Sequence, residues 1–328
     1  MKRFLITLCV ALSALMCAEA AHAVKRVKVV SFNIVVSNHE TENGWDIRKS
    51  AIARFLAEEQ PDIVGLQEAT YMQIQYLLAG MPDYLFCGVS RDTGTKGGGG
   101  EYSAILYNRK RFEALDNGVF WLSATPDRPS RSWNDAVQTR IEPHPGAMKH
   151  NRICTWVRLQ DKSSKKEFFF FNTHLEFGYH ADQNLGQTAR EKGVELIVEK
   201  MRELVPEGMP VILSGDMNQM TDNRCFTPLY EFGMKNSRVE AAKVISEENR
   251  NSITWNGFNF GANKASTFEQ EDKSKGPGNF FMIDYIYYKN CKAVEYRTIR
   301  DRRYGEEPEV DGTPYMSDHY PILAVMKM

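Results

Sequence analysis

The stretch PVILSGDMNQ, from Pro210 to Gln219, decides how the fold of this chain is interpreted. Its apolar run, Val211 to Leu213, is typical of a short strand buried on both faces. Two small residues end that run, and a carboxylate and a carboxamide follow two positions apart, at Asp216 and Asn218. In an extended segment such residues share one face, so both side chains are expected above the end of the strand. The pair suits the activation of a water molecule, although Asp and Asn are also ordinary turn formers.

Other predicted strands also finish in polar side chains. Alternating or apolar runs stand at VKVVSFNI (Val27–Ile34), DIVGLQ (Asp62–Gln67), EFFFF (Glu167–Phe171) and FFMIDYIYY (280–288). The polar residues at strand ends or in adjacent turns are Asn33, Glu68, His174, Asp216, Asn218, Asp284, Asp318 and His319. Each of them alone has an ordinary structural explanation. Together, hard oxygen ligands, two histidines and an Asp–Asn pair form the set that metal-assisted phosphoryl chemistry requires.

Helices are predicted at two long segments and one short one. Apolar residues recur at helical spacing from Asp46 to Glu58 and again from Asp182 to Leu204, and Thr70 is expected to cap the short helix. Further strands are predicted at Tyr84–Val89, Glu101–Tyr107, Phe112–Leu122, Ile153–Leu159, Val294–Ile299 and the C-terminal run PILAVMKM. Because helices and strands alternate in the first half and mostly strands follow, we expect one sheet-rich α/β domain over residues 24–328.

The composition is that of a globular protein. The chain has 328 residues, 42% of them hydrophobic and 25% charged, with a formal net charge of −1. A near-neutral charge does not favour a protein that coats nucleic acid nonspecifically. The cysteines beyond the N-terminal segment, Cys87, Cys154, Cys225 and Cys291, contain no C-x-x-C pair. We therefore expect neither a zinc ribbon nor a redox motif. Buried free thiols are expected at Cys87 and Cys154, which lie in predicted strands, and no disulfide is assigned among the four.

The first 23 residues have the layout of an export signal. Lys2 and Arg3 form a basic start, Phe4 to Met16 is an apolar run too short to span a bilayer, and residues 21–23 read Ala-His-Ala. This pattern predicts cleavage after about Ala23 and a periplasmic or extracellular protein. No other apolar stretch approaches 18 residues, so a transmembrane segment is not expected in residues 24–328.

Two loops are candidates for substrate contact. The loop Arg91–Glu101 contains four consecutive glycines, Gly97–Gly100. A phosphate cradle needs a helix N-terminus behind it, but Glu101 opens an alternating strand, so a flexible loop is the better interpretation. The Pro-bearing segment Ser123–His150 carries several basic residues. Because so long a connection is commonly functional, we expect it to form a rim over the site.

The ordered motifs of the chain resemble those of the endonuclease/exonuclease/phosphatase superfamily, metal-dependent phosphohydrolases with the pancreatic-deoxyribonuclease fold. The resemblance is carried by SFNI (Ser31–Ile34), GLQE (Gly65–Glu68), FNTHLE (Phe171–Glu176), SGDMN (Ser214–Asn218), MIDYI (Met282–Ile286) and SDHYP (Ser317–Pro321). The stretches GEYSAILY, FWLS and RICTW are similar to those of a bacterial secreted subgroup. The resemblance implies a four-layered α/β sandwich, in which two mixed β-sheets pack face to face with helices on the outside.

The resemblance also implies a metal site. Glu68 would be the principal Mg²⁺ ligand, with Asn33 and Asp318 completing that side, and Mn²⁺ is a possible substitute. One strong ligand is chemically sufficient, because Mg²⁺ keeps several waters and takes only one or two protein carboxylates. Val35 stands where some members carry an acidic residue, which argues against a second metal.

The catalytic roles implied by the resemblance fall on five residues. Asp216 would orient or deprotonate the attacking water, and Asn218 would fix the position of that water. His319, held by Asp284, would contact the phosphate and stabilise charge in the transition state, while His174 would flank the same phosphate on the leaving-group side. An alternative assignment makes the His319–Asp284 pair the general base.

The substrate class has two candidates. We expect an exported Mg²⁺-dependent phosphoester hydrolase of the phosphodiesterase or nuclease type, or alternatively a phosphomonoesterase acting on a small or lipid (inositol-type) phosphate. His174 stands where certain nucleases of the superfamily carry tyrosine, which favours the phosphatase and deadenylase-like branches. Arg152 is placed to reach a phosphate, unless it is only a strand surface charge. A catalytically inactive binding module would have lost motif residues, and none is lost here; a monomer is expected.

Overall fold

The computed structural model describes residues 26–36, 43–133, 151–177, 185–220, 223–245, 253–258, 282–300 and 315–328. The predicted export signal, residues 1–23, lies outside this part of the chain, as do residues 134–150 of the predicted rim. Within the described part, no helix has the length and apolar character needed to cross a membrane. The four cysteines beyond the N-terminal segment are all described and are free thiols, as expected for Cys87 and Cys154.

Most predicted elements are present with shifted ends. The strands are β1 (Arg26–Asn33), β2 (Ile63–Thr70), β3 (Tyr84–Cys87), β4 (Glu101–Asn108), β5 (Phe112–Trp121), β6 (Ile153–Asp161), β7 (Glu167–His174), β8 (Val211–Asp216), β9 (Lys235–Asn236), β10 (Val244–Ile245), β11 (Asp284–Lys289), β12 (Lys292–Thr298) and β13 (Ile322–Lys327). The helices are α1 (Trp45–Glu59), α2 (Tyr71–Gly80), α3 (Leu185–Leu204), α4 (Thr227–Glu231) and α5 (Ser237–Glu240), with a 3₁₀ turn at Arg224–Phe226.

The strands form two mixed sheets, which confirms the predicted architecture. Sheet A has seven strands in the order β10-β12-β13-β1-β2-β4-β3, and sheet B has six in the order β5-β6-β7-β8-β11-β9. The pairs β1–β2 and β7–β8 are parallel, whereas most other neighbours are antiparallel. The sheets stack so that β1 lies over β8 and β2 over β7. The C-terminal ends of these four strands therefore meet at one end of the sandwich.

The central strands, such as β7 and β8, are buried on both faces because each face is covered. Between the sheets, side chains such as Val29, Phe170 and Ile212 are fully buried. On the outer face of sheet A, Phe32 packs against α1, and on that of sheet B, residues of α3 such as Ile197 cover the strands. This double burial explains the continuous apolar runs that the sequence shows.

Local signals explain where the short elements begin. Thr70 caps α2 as predicted, with a reciprocal capping box formed with Gln73. The glycine-rich loop is followed by β4 and not by a helix, so the phosphate-cradle alternative is excluded for it. The loop is held by its own hydrogen bonds, since Tyr102 Oη donates to the Gly98 carbonyl at 2.9 Å and Ser90 Oγ donates to the Gly99 carbonyl.

Candidate active site

The site lies at the end of the sandwich where β1, β2, β7 and β8 finish. Along the inward face of β7 the side chains are Phe170, Asn172 and then His174, and along β8 they are Ile212, Ser214 and then Asp216. Because inward residues recur every second position, each strand passes from an apolar side chain to an amide or hydroxyl and then to a candidate catalytic group. The sequence pattern thus places the site at one end of the space between the sheets.

The amide and hydroxyl side chains of β7 and β8 belong to a buried hydrogen-bond network between the sheets. Asn172 of sheet B donates to the carbonyls of Leu66 (2.8 Å) and Ala104 (3.0 Å) in sheet A. Its Oδ1 accepts from Gln67 Nε2 at 2.7 Å and from Ser214 Oγ at 2.9 Å. These polar groups are all buried, so their mutual satisfaction fixes the two sheets relative to each other directly below the site.

Glu68 enters the site through a β-bulge. Strand alternation would point Gln67 into the space between the sheets and Glu68 away from it. The pairing of β2 with β4 slips between Leu66 and Ala69, and Glu68 adopts φ +59°, a left-handed conformation that is uncommon for residues other than glycine. The extra residue turns the Glu68 side chain back towards the site.

Asn33 connects the carboxylates of the two sheets. Its Nδ2 donates to Glu68 Oε1 at 3.0 Å and to Asp216 Oδ2 at 3.0 Å. Its Oδ1 accepts from the backbone N–H of Val35 at 3.0 Å, and Val35 itself has φ +58°. The structure therefore places Asn33 beside the predicted metal ligand Glu68, where its amide donates to both carboxylates.

Asp216, Asn218 and His174 form one contact group. Asn218 N–H donates to Asp216 Oδ1 at 2.9 Å in a turn where Asn218 has φ +46°. Asn218 Nδ2 lies 2.9 Å from His174 Nε2 and also donates to the Leu175 carbonyl at 3.1 Å. His174 Nε2 is 3.4 Å from Asp216 Oδ2. The GDMN segment is thus a tight turn and also brings a carboxylate and an amide to one point.

His319 and Asp284 form the predicted pair. His319 Nδ1 lies 2.8 Å from Asp284 Oδ2, and His319 Nε2 lies 3.6 Å from Asp216 Oδ2. Burial acts to lower the pKa of His319, but the charges of the surrounding aspartates outweigh it and raise that pKa well above its usual value. Because Asp284 is directly opposite Asp216 in the pairing of β11 with β8, the dyad is set on the same sheet as the Asp216 turn.

Asp216 has the electrostatics of a group that can exchange a proton near neutrality. Complete burial raises its pKa to about 7, the charge of Asp284 adds to this, and His319 opposes it. A carboxylate kept this far from water has its charged form disfavoured. Such tuning is characteristic of functional groups.

Asp318 lies at the rim of the cluster. Its Oδ1 is 4.0 Å from His319 Nε2, and its Oδ2 accepts from Trp255 Nε1 at 3.4 Å. Burial raises the pKa of Asp318, while the charge of His319 acts in the opposite direction. Asp318 is therefore brought to the site, on the His319 side of it.

Sequence reasoning missed Arg48, a fully buried arginine in α1. Its Nη1 donates to the carbonyls of Ile34 and Met316, both at 2.8 Å, and so joins the segments after β1 and before β13. Burial lowers its pKa to about 10, while the charges of Asp318 and Glu68 act to raise it. The signal was present, because Arg48 occupies the buried stripe of α1 with Ala51, Ile52 and Phe55.

Arg152 is buried and is not a surface charge, so that alternative is wrong. It is 3% exposed, and its Nη2 lies 3.5 Å from Glu176 Oε1. A second buried ion pair, Arg91 Nη2 to Glu101 Oε1 at 2.6 Å, lies nearby and was not predicted. Of the predicted basic rim, Arg128 and Arg131 are exposed.

The described residues fit a divalent cation. Two groups offer ligand atoms within 4.8 Å of one another: Glu68 with His174 and Asp216, and Asp216 with Asp284 and His319. Carboxylate oxygens suit a hard cation, and the first group brings together ligands from both sheets. The predicted ligand set of Glu68, Asn33 and Asp318 stays a prediction, with Asn33 adjacent to the first group and Asp318 closer to the second.

Comparison with known proteins identifies the family. A profile of the endonuclease/exonuclease/phosphatase family matches residues 30–319. An endonuclease/exonuclease/phosphatase from Bacteroides vulgatus is 28% identical, with coverage of 93% of this chain and 99% of that one and a TM-score of 0.72. A mannosyl-6-phosphatase from Bacteroides thetaiotaomicron is 26% identical, with coverage of 92% and 100% and a TM-score of 0.73.

A more distant relative has a longer chain. Tyrosyl-DNA phosphodiesterase 2 from Danio rerio is 24% identical over 193 residues, which are 59% of this chain and 41% of that protein. The comparisons thus span bacterial and animal phosphoesterases, and both the family profile and the bacterial structures cover nearly the whole of the motif-bearing chain. This chain therefore belongs to the endonuclease/exonuclease/phosphatase family and is a divalent-metal-dependent phosphoester hydrolase.

Proposed function

We propose that this protein is an exported, Mg²⁺-dependent phosphomonoesterase that acts on a small phosphorylated molecule of the sugar-phosphate type. The observation that carries the proposal is the full-length similarity to the mannosyl-6-phosphatase, which this chain covers completely. The buried charge around the site suits a small substrate, because Arg152 is 3% exposed and His319 is 4% exposed. The sequence alone offered the phosphomonoesterase as the alternative to a phosphodiesterase. We propose it here as the first candidate.

Glu68 would be the principal ligand of Mg²⁺, with Asn33 beside it. When bound, the cation would polarise a phosphoryl oxygen and neutralise developing charge. Mg²⁺ suits the site because carboxylates from both sheets converge there and Mg²⁺ retains several waters of its own. Mn²⁺ accepts the same oxygen-rich ligands. A titration of turnover with each cation tests the preference.

The protein groups supply proton transfer and charge stabilisation. Asp216 accepts a proton from the attacking water, whose oxygen forms a bond to phosphorus as the ester P–O bond breaks. Its raised pKa, about 7, suits a base that works near neutral pH. Asn218 orients that water. His174 lies next to Asn218, with its Nε2 2.9 Å from Asn218 Nδ2. A proton returns to the leaving oxygen, so the products are an alcohol and orthophosphate.

The electrostatics favour a charged His319. Its pKa is raised well above the usual value because three aspartates surround it, despite the opposing effect of burial. An imidazolium is a poor base but a good donor to a phosphoryl oxygen. Asp284, 2.8 Å from Nδ1, keeps the ring oriented with Nε2 towards Asp216. We therefore assign base function to Asp216 and phosphate contact to the His319–Asp284 pair.

A phosphodiester substrate is the second candidate. The similarity to tyrosyl-DNA phosphodiesterase 2 supports it, since that relative is named for diester cleavage. The exposed Arg128 and Arg131 would then contact the substrate strand. The near-neutral net charge of −1 favours the small substrate over a polynucleotide.

A hydrolysis screen on the protein without residues 1–23 tests the proposal. Release of orthophosphate from sugar phosphates, inositol phosphates and nucleotides is measured beside cleavage of single-stranded and duplex DNA and RNA, with and without Mg²⁺. The Asp216→Ala variant is the blank. Mg²⁺-dependent orthophosphate release that the blank lacks is the expected result. Cleavage of polynucleotide with sugar phosphates untouched would support the second candidate and contradict the first.

Export is tested separately in a bacterial host. The segment 1–23, with its basic start and apolar run, supports delivery to the periplasm or the medium. The full chain is expected to appear there with an N-terminus near residue 24. Retention of the full-length chain in the cytoplasm would contradict export and leave the enzymatic proposal unaffected.

A further inference from the structure

A second buried arginine, Arg91, lies beside Arg152. The Arg91 carbonyl accepts hydrogen bonds from Trp121 Nε1 at 2.7 Å and from Asn151 Nδ2 at 3.0 Å. Asn151 immediately precedes Arg152, whose own carbonyl accepts from the Leu122 N–H at 2.8 Å. The start of the glycine-rich loop is therefore tied to the ends of β5 and β6. This arrangement holds Arg91 next to Arg152 and makes Arg91 a fixed part of the site end.

Both guanidinium groups contain buried N–H donors that have no partner among the described residues. Arg91 Nε has none, although Arg91 Nη2 is paired with Glu101 at 2.6 Å. Arg152 Nε and Nη1 have none, although Nη2 is paired with Glu176 at 3.5 Å. Arg91 is 5% exposed and Arg152 is 3% exposed. Buried donors are almost always satisfied in native proteins, so three unpartnered nitrogens at one place point to a missing acceptor.

The two arginines also act on each other and on the catalytic group. Burial is the larger cause of the lowered pKa of Arg91, and the charge of Arg152 contributes to it. Both arginines lie close enough to Glu68 to interact with its charge, and Arg152 also interacts with Asp216. Each arginine already has one glutamate beside it, and its unpartnered nitrogens remain available for a further acceptor. Guanidinium groups form their strongest hydrogen bonds with anionic acceptors, and an anion bound here would lie near Glu68 and Asp216.

We propose that Arg91 and Arg152 together bind the non-bridging oxygens of a dianionic terminal phosphate, and that Arg91 makes the enzyme prefer phosphate monoesters to diesters. The inference rests on the proposed function and names its source of specificity. A monoester offers three terminal oxygens and two negative charges, whereas a diester has two such oxygens and one charge. Guanidinium groups match phosphate oxygens in a planar, multidentate way that a single cation cannot.

Each glutamate holds its arginine in one orientation. Burial raises the pKa of Glu101 to about 7, although the charge of Arg91 acts to lower it. Glu176 is held in place as well, because its backbone carbonyl accepts from Arg190 Nη1 at 2.8 Å.

The test compares two esters with the same leaving group, p-nitrophenyl phosphate and bis(p-nitrophenyl) phosphate. The variants are Arg91→Gln, Arg91→Lys and the matched control Arg158→Gln, an arginine of β6 that is paired with Glu167 away from the site. Loss of one charge-assisted contact predicts a fall of about 10-fold or more in kcat/KM for the monoester in Arg91→Gln, and less than about 3-fold for the diester. Arg91→Lys is expected to retain part of the monoester activity, and Arg158→Gln all of it.

Binding of inorganic phosphate, measured by calorimetry, gives a readout that needs no turnover. We expect Arg91→Gln to weaken phosphate binding by about 10-fold or more, at a temperature where circular dichroism shows that the variant is folded, while its Mg²⁺ titration stays close to wild type. Equal losses on the two esters, or unchanged phosphate binding, would overturn the inference. A wild-type protein that binds phosphate through Arg91 but hydrolyses neither ester would instead contradict the proposed function.

Discussion

The two ends of sheet B use the same residue type in opposite ways. Asp161 ends β6 and Asp216 ends β8, and because β6 is antiparallel to β7 while β8 is parallel to it, these aspartates lie at opposite ends of the sheet. Asp161 accepts from the N–H groups of Ser163 (3.0 Å) and Ser164 (2.9 Å) and pairs with Arg111 Nε at 3.1 Å. Burial acts to raise its pKa, but these partners outweigh burial and hold the pKa well below its usual range.

Asp216 is completely buried and lies opposite a second carboxylate, Asp284. Burial raises its pKa to about 7, and Asp284 adds to the effect. Its ionised form is therefore less favourable in the folded protein than in the unfolded chain. The stability of the fold accordingly falls as the pH rises from about 4, the pKa of the unfolded chain, to about 7, and it stays lower above that pH. The Asp161 end of sheet B is therefore arranged for stability. The Asp216 end is arranged for chemistry, at some cost in stability.

The largest expected effect comes from Asp216→Asn. This change keeps the shape of the side chain but removes the base, so we expect turnover to fall by at least about 100-fold. The free energy of unfolding at pH 8 is expected to stay level or rise, because a buried carboxylate with a raised pKa is no longer ionised there. Steady-state kinetics and urea unfolding measure the two quantities. Near-normal turnover would remove Asp216 from the catalytic group.

Asn172→Leu tests the hydrogen-bond network that joins sheet A to sheet B below the site. The change leaves donors or acceptors of Gln67, Ser214 and two backbone carbonyls unpaired between the sheets, which predicts a loss of about 2–4 kcal/mol in the free energy of unfolding. Because the network fixes sheet A against sheet B, the Mg²⁺ concentration for half-maximal turnover is also expected to rise.

The matched control for Asn172 is Phe170→Leu, two residues earlier on the same inward face. Its apolar surroundings predict a loss of about 1–2 kcal/mol in stability with no change in the Mg²⁺ requirement. If both variants shifted the metal titration equally, the shift would reflect general loosening of the core, and a positioning effect of Asn172 would be contradicted.

Glu68→Gln tests whether Glu68 is a ligand of the metal. A neutral amide is a weaker ligand for Mg²⁺ than a carboxylate, so we expect the half-saturating Mg²⁺ concentration to rise by about 10-fold. Gln73→Ala is the control, since Gln73 belongs to the neighbouring cap of α2 and offers no carboxylate. An unchanged metal titration in Glu68→Gln would remove Glu68 from the metal site.

The strands could be predicted from the sequence because apolar periodicity encodes them, and the same periodicity gives the positions of the candidate site residues on them. Inward positions on β7 and β8 pass from apolar to polar at regular intervals of two, so His174 and Asp216 could be assigned to the site end from the letters alone. The pairing of the strands into two sheets came from the family resemblance. No local sequence pattern indicates that β1 lies between β13 and β2.

Glu68 shows what periodicity alone misses. Its position next to Gln67 puts it on the wrong face of a regular strand, and only the bulge with φ +59° returns it to the site. Arg91 and Glu101 were hidden for another reason. The residues that hold the Arg91 backbone, Trp121 and Asn151, are distant in the chain. A loop rich in glycine also gives no sign that the arginine at its start is buried.

The smallest expected effect is that of Asp161→Asn, the same substitution at the opposite end of the sheet. Loss of the ion pair with Arg111 and of two charge-assisted hydrogen bonds predicts a fall of about 1–2 kcal/mol in the free energy of unfolding at pH 7, with turnover unchanged. The folded-state pKa of Asp161 is depressed, so its stabilisation is complete above about pH 4, the pKa of the unfolded chain. It is lost as the pH falls through the folded-state value. Urea unfolding at pH 7, 5 and 3 should therefore show the gap between wild type and variant closing only in acid, and a gap that widened instead would reverse the roles assigned to the two ends.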